Sequence, residues 1–235
     1  MQLFICPEFQ VTGNQLIIKK NPELIQQLRK VLRAQMGYQF AVQAPEATER
    51  YFLRLQKRSD QELQAEIVQM LPAPLKAPKT WMLLSLTNKQ EKLELIIQKF
   101  TEIGIDEIYL WASERSVLKS INPNKLQRLS KIMQEATEQS WNRSLPKLSF
   151  IEAPQSLHQE RRFVIFDLPS TQQYTTSSKA SALPLLGVVG PEGGLTERDY
   201  QSFPEGFERA SLWESVLRTE TAAIIWAWKL KNLKN

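Results

Sequence analysis

The order of apolar and polar positions changes character once along the chain. Residues 1–71 carry short runs of strand length. Leu3-Phe4-Ile5 and Leu16-Ile17-Ile18 are apolar, and 38–42, 51–55 and 63–68 alternate in part between apolar and polar side chains. One helix interrupts them: Asn21 is placed to cap it, Pro22 suits its first turn, and Leu24, Leu28 and Leu32 share a face. Short strands with one helix predict a small barrel over 1–71. Prolines at 72, 74 and 78 deny residues 72–79 both helix and sheet pairing, which predicts a semi-rigid linker.

From residue 80 to 235 the periods lengthen. Strand-like runs at 81–86, 107–111, 163–166 and 185–189 alternate with helical patterns, which predicts an α/β domain. Leu93, Ile96, Ile97, Phe100 and Ile103 make one helix face, and Gly104 ends that helix. Asn122 caps and Pro123 opens another, with Leu126, Leu129, Met133, Ala136 and Ser140 along one side. Leu217, Thr221, Ile224, Ile225 and Trp228 predict the apolar face of a last helix. Residues 171–181 are rich in serine and threonine and read as a loop.

Composition narrows the function classes. Hydrophobic residues make up 42% of the 235, an ordinary globular share. Thirty basic against 25 acidic residues leave a net charge of +5, compatible with a polyanionic partner. Basic side chains recur in the first segment at Lys19, Lys20, Arg29, Lys30, Arg33, Arg54, Lys57 and Arg58, either as an RNA-facing surface or as a solvated face. Cys6 is the only cysteine, so there is no internal disulfide and no cysteine cluster for zinc; no metal site is expected. His158, the only histidine, sits among Gln and Glu and reads as a surface residue. No charged leader precedes an apolar core, and no apolar run of about 20 residues occurs, so a cytoplasmic protein is expected.

Two stretches near the C-terminus concentrate the candidate chemistry. In Gly190-Pro191-Glu192-Gly193-Gly194, three glycines and a proline force a sharp turn after a strand. Thr196 and Asp199 then read as a capping pair. The spacing is neither G-x-G-x-x-G nor a Walker loop. Either a small polar ligand meets the backbone here, or the turn merely joins strand to helix. The second stretch is Val216-Leu217-Arg218-Thr219-Glu220-Thr221-Ala222. A helix N-terminus favours Glu220 and repels Arg218, so Arg218 is either a solvated arginine or one kept for function.

Taken together, the two stretches resemble the pair of motifs that end members of the ribosomal RNA small subunit methyltransferase E family. Weaker motifs recur in order: Lys30-Val31-Leu32-Arg33 with Gly37, Gln98-Lys99-Phe100-Thr101-Glu102-Ile103-Gly104, Ser113-Glu114-Arg115-Ser116, and Glu138-Gln139-Ser140 with Arg143 and Pro146. The resemblance implies a SPOUT-class α/β trefoil-knot domain preceded by a small PUA-like β-barrel domain. It implies methylation of N3 of a uridine in 16S ribosomal RNA of the small ribosomal subunit, with S-adenosyl-L-methionine as cofactor, by a homodimer.

By the same route Leu168, Gly190, Pro191, Glu192, Gly193, Gly194, Leu212, Trp213, Val216, Leu217 and Arg218 would hold the cofactor. Arg218 would stabilise the uridine anion, and Glu192 or Glu220 would accept the N3 proton. Lys30, Arg33, Arg115 and Arg143 would contact RNA. The chain departs from the family where Leu-Gly-x-Arg becomes Leu212-Trp213-Glu214-Ser215, and where Gly-Arg becomes Trp141-Asn142. In both places a tryptophan replaces glycine. Two other readings keep the same loops: an RNA- or ribosome-binding relative with weakened transfer, and a methyltransferase for another RNA base.

Overall fold

The computed structural model describes residues 1–19, 21–46, 49–72, 79–157, 161–166, 184–211 and 215–232. The chain divides into two compact units, Met1–Leu75 with Thr137–Leu145, and Lys76–Ala136 with Pro146–Asn235. Of the expected linker, residues 73–78 lie outside the described residues, as does the serine- and threonine-rich stretch at 171–181.

The first unit is a six-stranded mixed sheet of β1 (Leu3–Ile5), β2 (Gln10–Thr12), β3 (Gln15–Lys19), β4 (Gln39–Gln43), β5 (Glu49–Arg58) and β6 (Glu62–Pro72), in the order β1-β4-β5-β6-β3-β2. Only β1 and β4 pair in parallel. The two edge strands are three residues each, and no pairing joins them among the described residues, so the expected barrel is here an open sheet. The helix α1 (Pro22–Gln26) starts as its sequence dictates: Asn21 Oδ1 accepts from the Leu24 amide at 3.1 Å. It then widens into a π-helical turn, Gln27–Val31, which rotates the following residues. Leu24 and Leu28 are therefore buried, while Leu32 is only half-buried. The core gathers Phe4, Leu16, Ile18, Leu28, Phe40, Leu53, Leu55 and Leu63.

The second unit is a wholly parallel sheet of β7 (Trp81–Ser85), β8 (Glu107–Trp111), β9 (Lys147–Phe150), β10 (Arg162–Phe166), β11 (Leu185–Val189) and β12 (Glu208–Ala210), ordered β12-β10-β11-β7-β8-β9. Among the described residues the α-helices that accompany it are α2 (Gln90–Ile103), α3 (Pro123–Ser140), whose residues from Thr137 on belong to the first unit, α4 (Glu197–Gln201) and α5 (Thr219–Asn232). The central strands are buried on both sides, which is why they read as unbroken apolar runs. The edge strands β9 and β12 carry no such run and gave no signal in the sequence.

The last helix differs from expectation in rotation. Its buried side is Thr219, Ala222, Ala223, Trp226, Ala227 and Leu230. The face expected to be buried is the outer one: Thr221 and Ile225 are exposed and Trp228 is 60% exposed. The helix is apolar on both sides, so periodicity alone could not choose between them. Close approach chose. At Gly187 on β11 an added Cβ would lie 2.3 Å from Leu230 Cδ1 and 2.6 Å from Trp226 Nε1, so glycine and alanines together bring α5 onto the sheet.

Candidate active site

The first strand of the parallel sheet, β7, is followed by β8 and β9 to one side, while the later strands lie to the other. The order therefore reverses between β7 and β11, and loops leaving the C-terminal ends of those strands diverge there. A crevice at such a point is the usual ligand site of an open α/β sheet. The glycine turn leaves β11 at this place, and the segment entering α2 leaves β7 beside it.

A cleft is lined by Phe166 at the end of β10, by Val189 to Glu192, Gly194 and Leu195 after β11, and by Ser215, Val216, Leu217, Thr219 and Ala222 at the entry of α5. The glycines of the turn answer to geometry. Gly194 has φ +72°, a left-handed backbone that favours glycine. A Cβ on Gly190 would meet Leu195 Cγ at 3.0 Å, and one on Gly193 would meet Arg115 Cδ at 3.2 Å. The helix after the turn is closed by the expected capping box: the Asp199 amide donates to Thr196 Oγ1 at 3.2 Å and the Thr196 amide to Asp199 Oδ2 at 2.9 Å.

Both candidate proton acceptors are in one ion cluster. Lys92 Nζ donates to Glu192 Oε1 at 3.0 Å and lies 3.5 Å from Glu220 Oε2. The Asn88 amide donates to Glu192 Oε2 at 3.2 Å. Burial acts to raise the Glu192 carboxyl, but its own backbone amide, Lys92 and the Asn88 amide outweigh it and hold the group below the usual carboxylate range. The hydrogen bond to Glu192 in turn lifts the Lys92 ammonium. Lys92 and Asn88 were missed in the sequence. Lys92 sits among Gln90, Glu91 and Glu94, where a lysine reads as part of a solvated helix face, and only the fold brings it to residues 100 positions away.

Arg218 is exposed and precedes the first turn of α5; its carbonyl accepts from the Ala222 amide at 2.9 Å. Of the remaining cofactor candidates, Leu168, Leu212 and Trp213 lie outside the described residues. Pro191 is buried and Val216 is exposed at the cleft.

The four RNA candidates are all exposed. Arg115 uses one donor locally: its Nη1 bonds to the Gly193 carbonyl at 2.6 Å and so braces the glycine turn. Lys30 and Arg33 flank an outward-facing Val31, 72% exposed, and Arg33 has φ +48°. Arg143 follows a turn in which the Gln43 side-chain amide donates to the Asn142 carbonyl at 3.0 Å and to the Arg143 carbonyl at 3.3 Å. Among the described residues no group of three or more His, Cys, Asp or Glu side chains could hold a metal, and no helix is long and apolar enough to cross a membrane.

Residues 75–230 match the RNA methyltransferase domain family. The ribosomal RNA small subunit methyltransferase E of Bacillus subtilis is 29% identical over 238 residues, which cover 95% of this chain and 89% of that protein. The protein of the same name from Mesomycoplasma hyopneumoniae is 30% identical over 181 residues, 74% of this chain and 78% of the relative. In fold, the chain is similar to the ribosomal RNA small subunit methyltransferase E from Neisseria gonorrhoeae, solved bound to S-adenosyl methionine. The TM-score is 0.85 at 23% identity, covering 99% of this chain and 98% of that one.

Proposed function

The chain belongs to the RNA methyltransferase domain family and, within it, to the ribosomal RNA small subunit methyltransferase E proteins; on that premise we propose that it methylates N3 of a uridine in 16S ribosomal RNA of the small subunit. The enzyme uses S-adenosylmethionine. The observation that carries the reading is the cleft at the strand-order reversal, walled by the glycine turn and by the entry of α5.

The residues present fit that cofactor. Gly190, Pro191, Glu192 and Gly194 line the cleft, with open space beside Gly194 where a side chain is missing, and Phe166, Val189, Leu195, Leu217 and Ala222 offer apolar walls for an adenosyl group. When bound, the cofactor supplies a methyl group already activated on a sulfonium. The protein's remaining task is to orient the uracil and to favour loss of its N3 proton. Arg218, exposed beside the cleft, is the group that stabilises the anion. Glu192 is a poor acceptor while Lys92 holds it, because a carboxylate with a lowered pKa takes up protons weakly, and Glu220 lies 3.5 Å from the same ammonium. Charge stabilisation by Arg218 therefore carries more of the chemistry than general-base transfer.

In this reading the parallel unit is a SPOUT trefoil-knot domain. The first unit is a PUA-like platform that offers Lys30, Arg33 and Arg143 to RNA phosphates, and Arg115 serves at the cleft. Ile225 and Trp228, exposed on α5, support a homodimer, since an outward tryptophan and isoleucine on one stripe suit a second copy. The protein works in the cytoplasm, where ribosomal subunits are.

Calorimetric titration with S-adenosylmethionine tests the site first. Micromolar binding that weakens at least a hundredfold in Gly193→Trp is expected, because the new side chain starts 3.2 Å from Arg115 Cδ. Unmodified small subunits should then acquire one labelled methyl group that stops reverse transcription at a uridine, as a blocked Watson–Crick edge must. A stop at another base would move the substrate, and a folded protein without cofactor binding would remove the enzyme reading.

A further inference from the structure

The cofactor reading gives α2 no role, yet its first turn reaches the cleft. Lys92 Nζ is 3.0 Å from Glu192, which belongs to the glycine turn, and 3.5 Å from Glu220, the second residue of α5. The turn and the entry of α5 are the two walls of the cleft. We propose that Lys92 is a positioning residue for methyl transfer: a cationic latch that ties the glycine turn to the N-terminus of α5 and sets the spacing of the walls that grip S-adenosylmethionine. The latch rests on the functional reading above.

The arrangement differs from an isolated surface pair. Three charges come from three separate elements, and their side chains are only about a quarter exposed or less, at 27%, 26% and 18% for Lys92, Glu192 and Glu220. Glu220 Oε2 is buried without a hydrogen-bond partner, so the ammonium of Lys92 is its compensation. Glu192 and Glu220 are the charged groups that face Lys92 within ion-pair distance among the described residues. Remove the cation and two carboxylates face each other across the cleft, a repulsion that separates its walls. Lys92 touches neither reacting atom in this account. It acts through the two loops.

The test compares full-length wild type, Lys92→Met, Lys92→Arg and the double variant Lys92→Met/Glu220→Gln. Each is titrated with S-adenosylmethionine at neutral pH, and amide hydrogen exchange is followed without cofactor. Lys92→Met should raise the cofactor Kd at least tenfold. Lys92→Arg and the double variant should each recover most of the loss. Exchange should quicken together at 190–195 and 219–223 in Lys92→Met. A Kd within twofold of wild type overturns the latch. So does a loss that is recovered neither in Lys92→Arg nor in the double variant. If the wild type itself binds no cofactor, the functional reading falls, and exchange alone decides: quickening confined to α2 overturns the latch.

Discussion

Two helices of this protein end in the same backbone motif with opposite residues. At the end of α2, Gly104 has φ +85°, its amide donates to the Thr101 carbonyl at 3.0 Å, and the Ile105 amide donates to the Phe100 carbonyl at 3.0 Å. At the end of α3, Trp141 has φ +56°, and the Asn142 amide donates to the Thr137 carbonyl at 3.1 Å. The left-handed residue after a helix is usually glycine, because a Cβ there crowds the backbone. Trp141 belongs to the first unit, and its side chain is held there by other residues of that unit. Its ring stacks on Phe52 with centroids 6.2 Å apart and 24° between planes, and the Arg50 guanidinium lies 5.3 Å over it. Arg50 Nη2 also bonds to the Trp141 and Asn142 carbonyls at 3.0 and 2.9 Å. Local strain at α3 is thus offset by tertiary contact, whereas at α2 no strain arises.

That comparison can be broken by substitution. Trp141→Ala keeps a Cβ in the left-handed region and loses the ring contacts; it should destabilise by about 2 kcal/mol in urea unfolding, the upper range for an aromatic pair plus partial burial. Trp141→Gly loses the same ring but relieves the backbone, and should be less harmful by about 1 kcal/mol. Equal losses in the two variants would show that the ring alone matters. Gly104→Ala introduces strain with no compensating contact and should destabilise by about 1 kcal/mol.

The smallest effect concerns the strand that carries Arg50 and Phe52. Tyr51 donates to Glu49, and that hydrogen bond, then burial, then the Glu49 charge push its phenol up to about 12. A raised folded pKa contributes stability that is complete below the unfolded value of 10 and is lost as pH rises towards 12. Ultraviolet titration should show Tyr51 and Tyr109 ionising late, and Glu49→Gln should bring Tyr51 alone back towards 10.

The glycine turn illustrates how far the sequence could be read. Its three glycines, the capping pair Thr196 and Asp199 and the entry of α5 were all legible, because turn chemistry and capping act within a few residues. So were the central strands, the exit of α2 at Gly104 and the entry of α3 at Asn122. The ion cluster around Lys92 was not, because nothing local distinguishes that lysine from its neighbours on α2. The rotation of α5 was not legible either. Both of its faces are apolar, and the choice fell to Gly187, on a different strand, which alone leaves room for Trp226 and Leu230.

Sequence by itself therefore determined the family and the type of the central strands and long helices, since these follow from ordered motifs and from short-range periodicity. Tertiary structure decided three further matters: which side of α5 is buried, how a tryptophan is tolerated in a left-handed turn, and which cation joins Glu192 to Glu220. Each of these depends on groups far apart in the chain. Steric fit and Coulomb attraction act on distance in space, which a linear pattern does not contain.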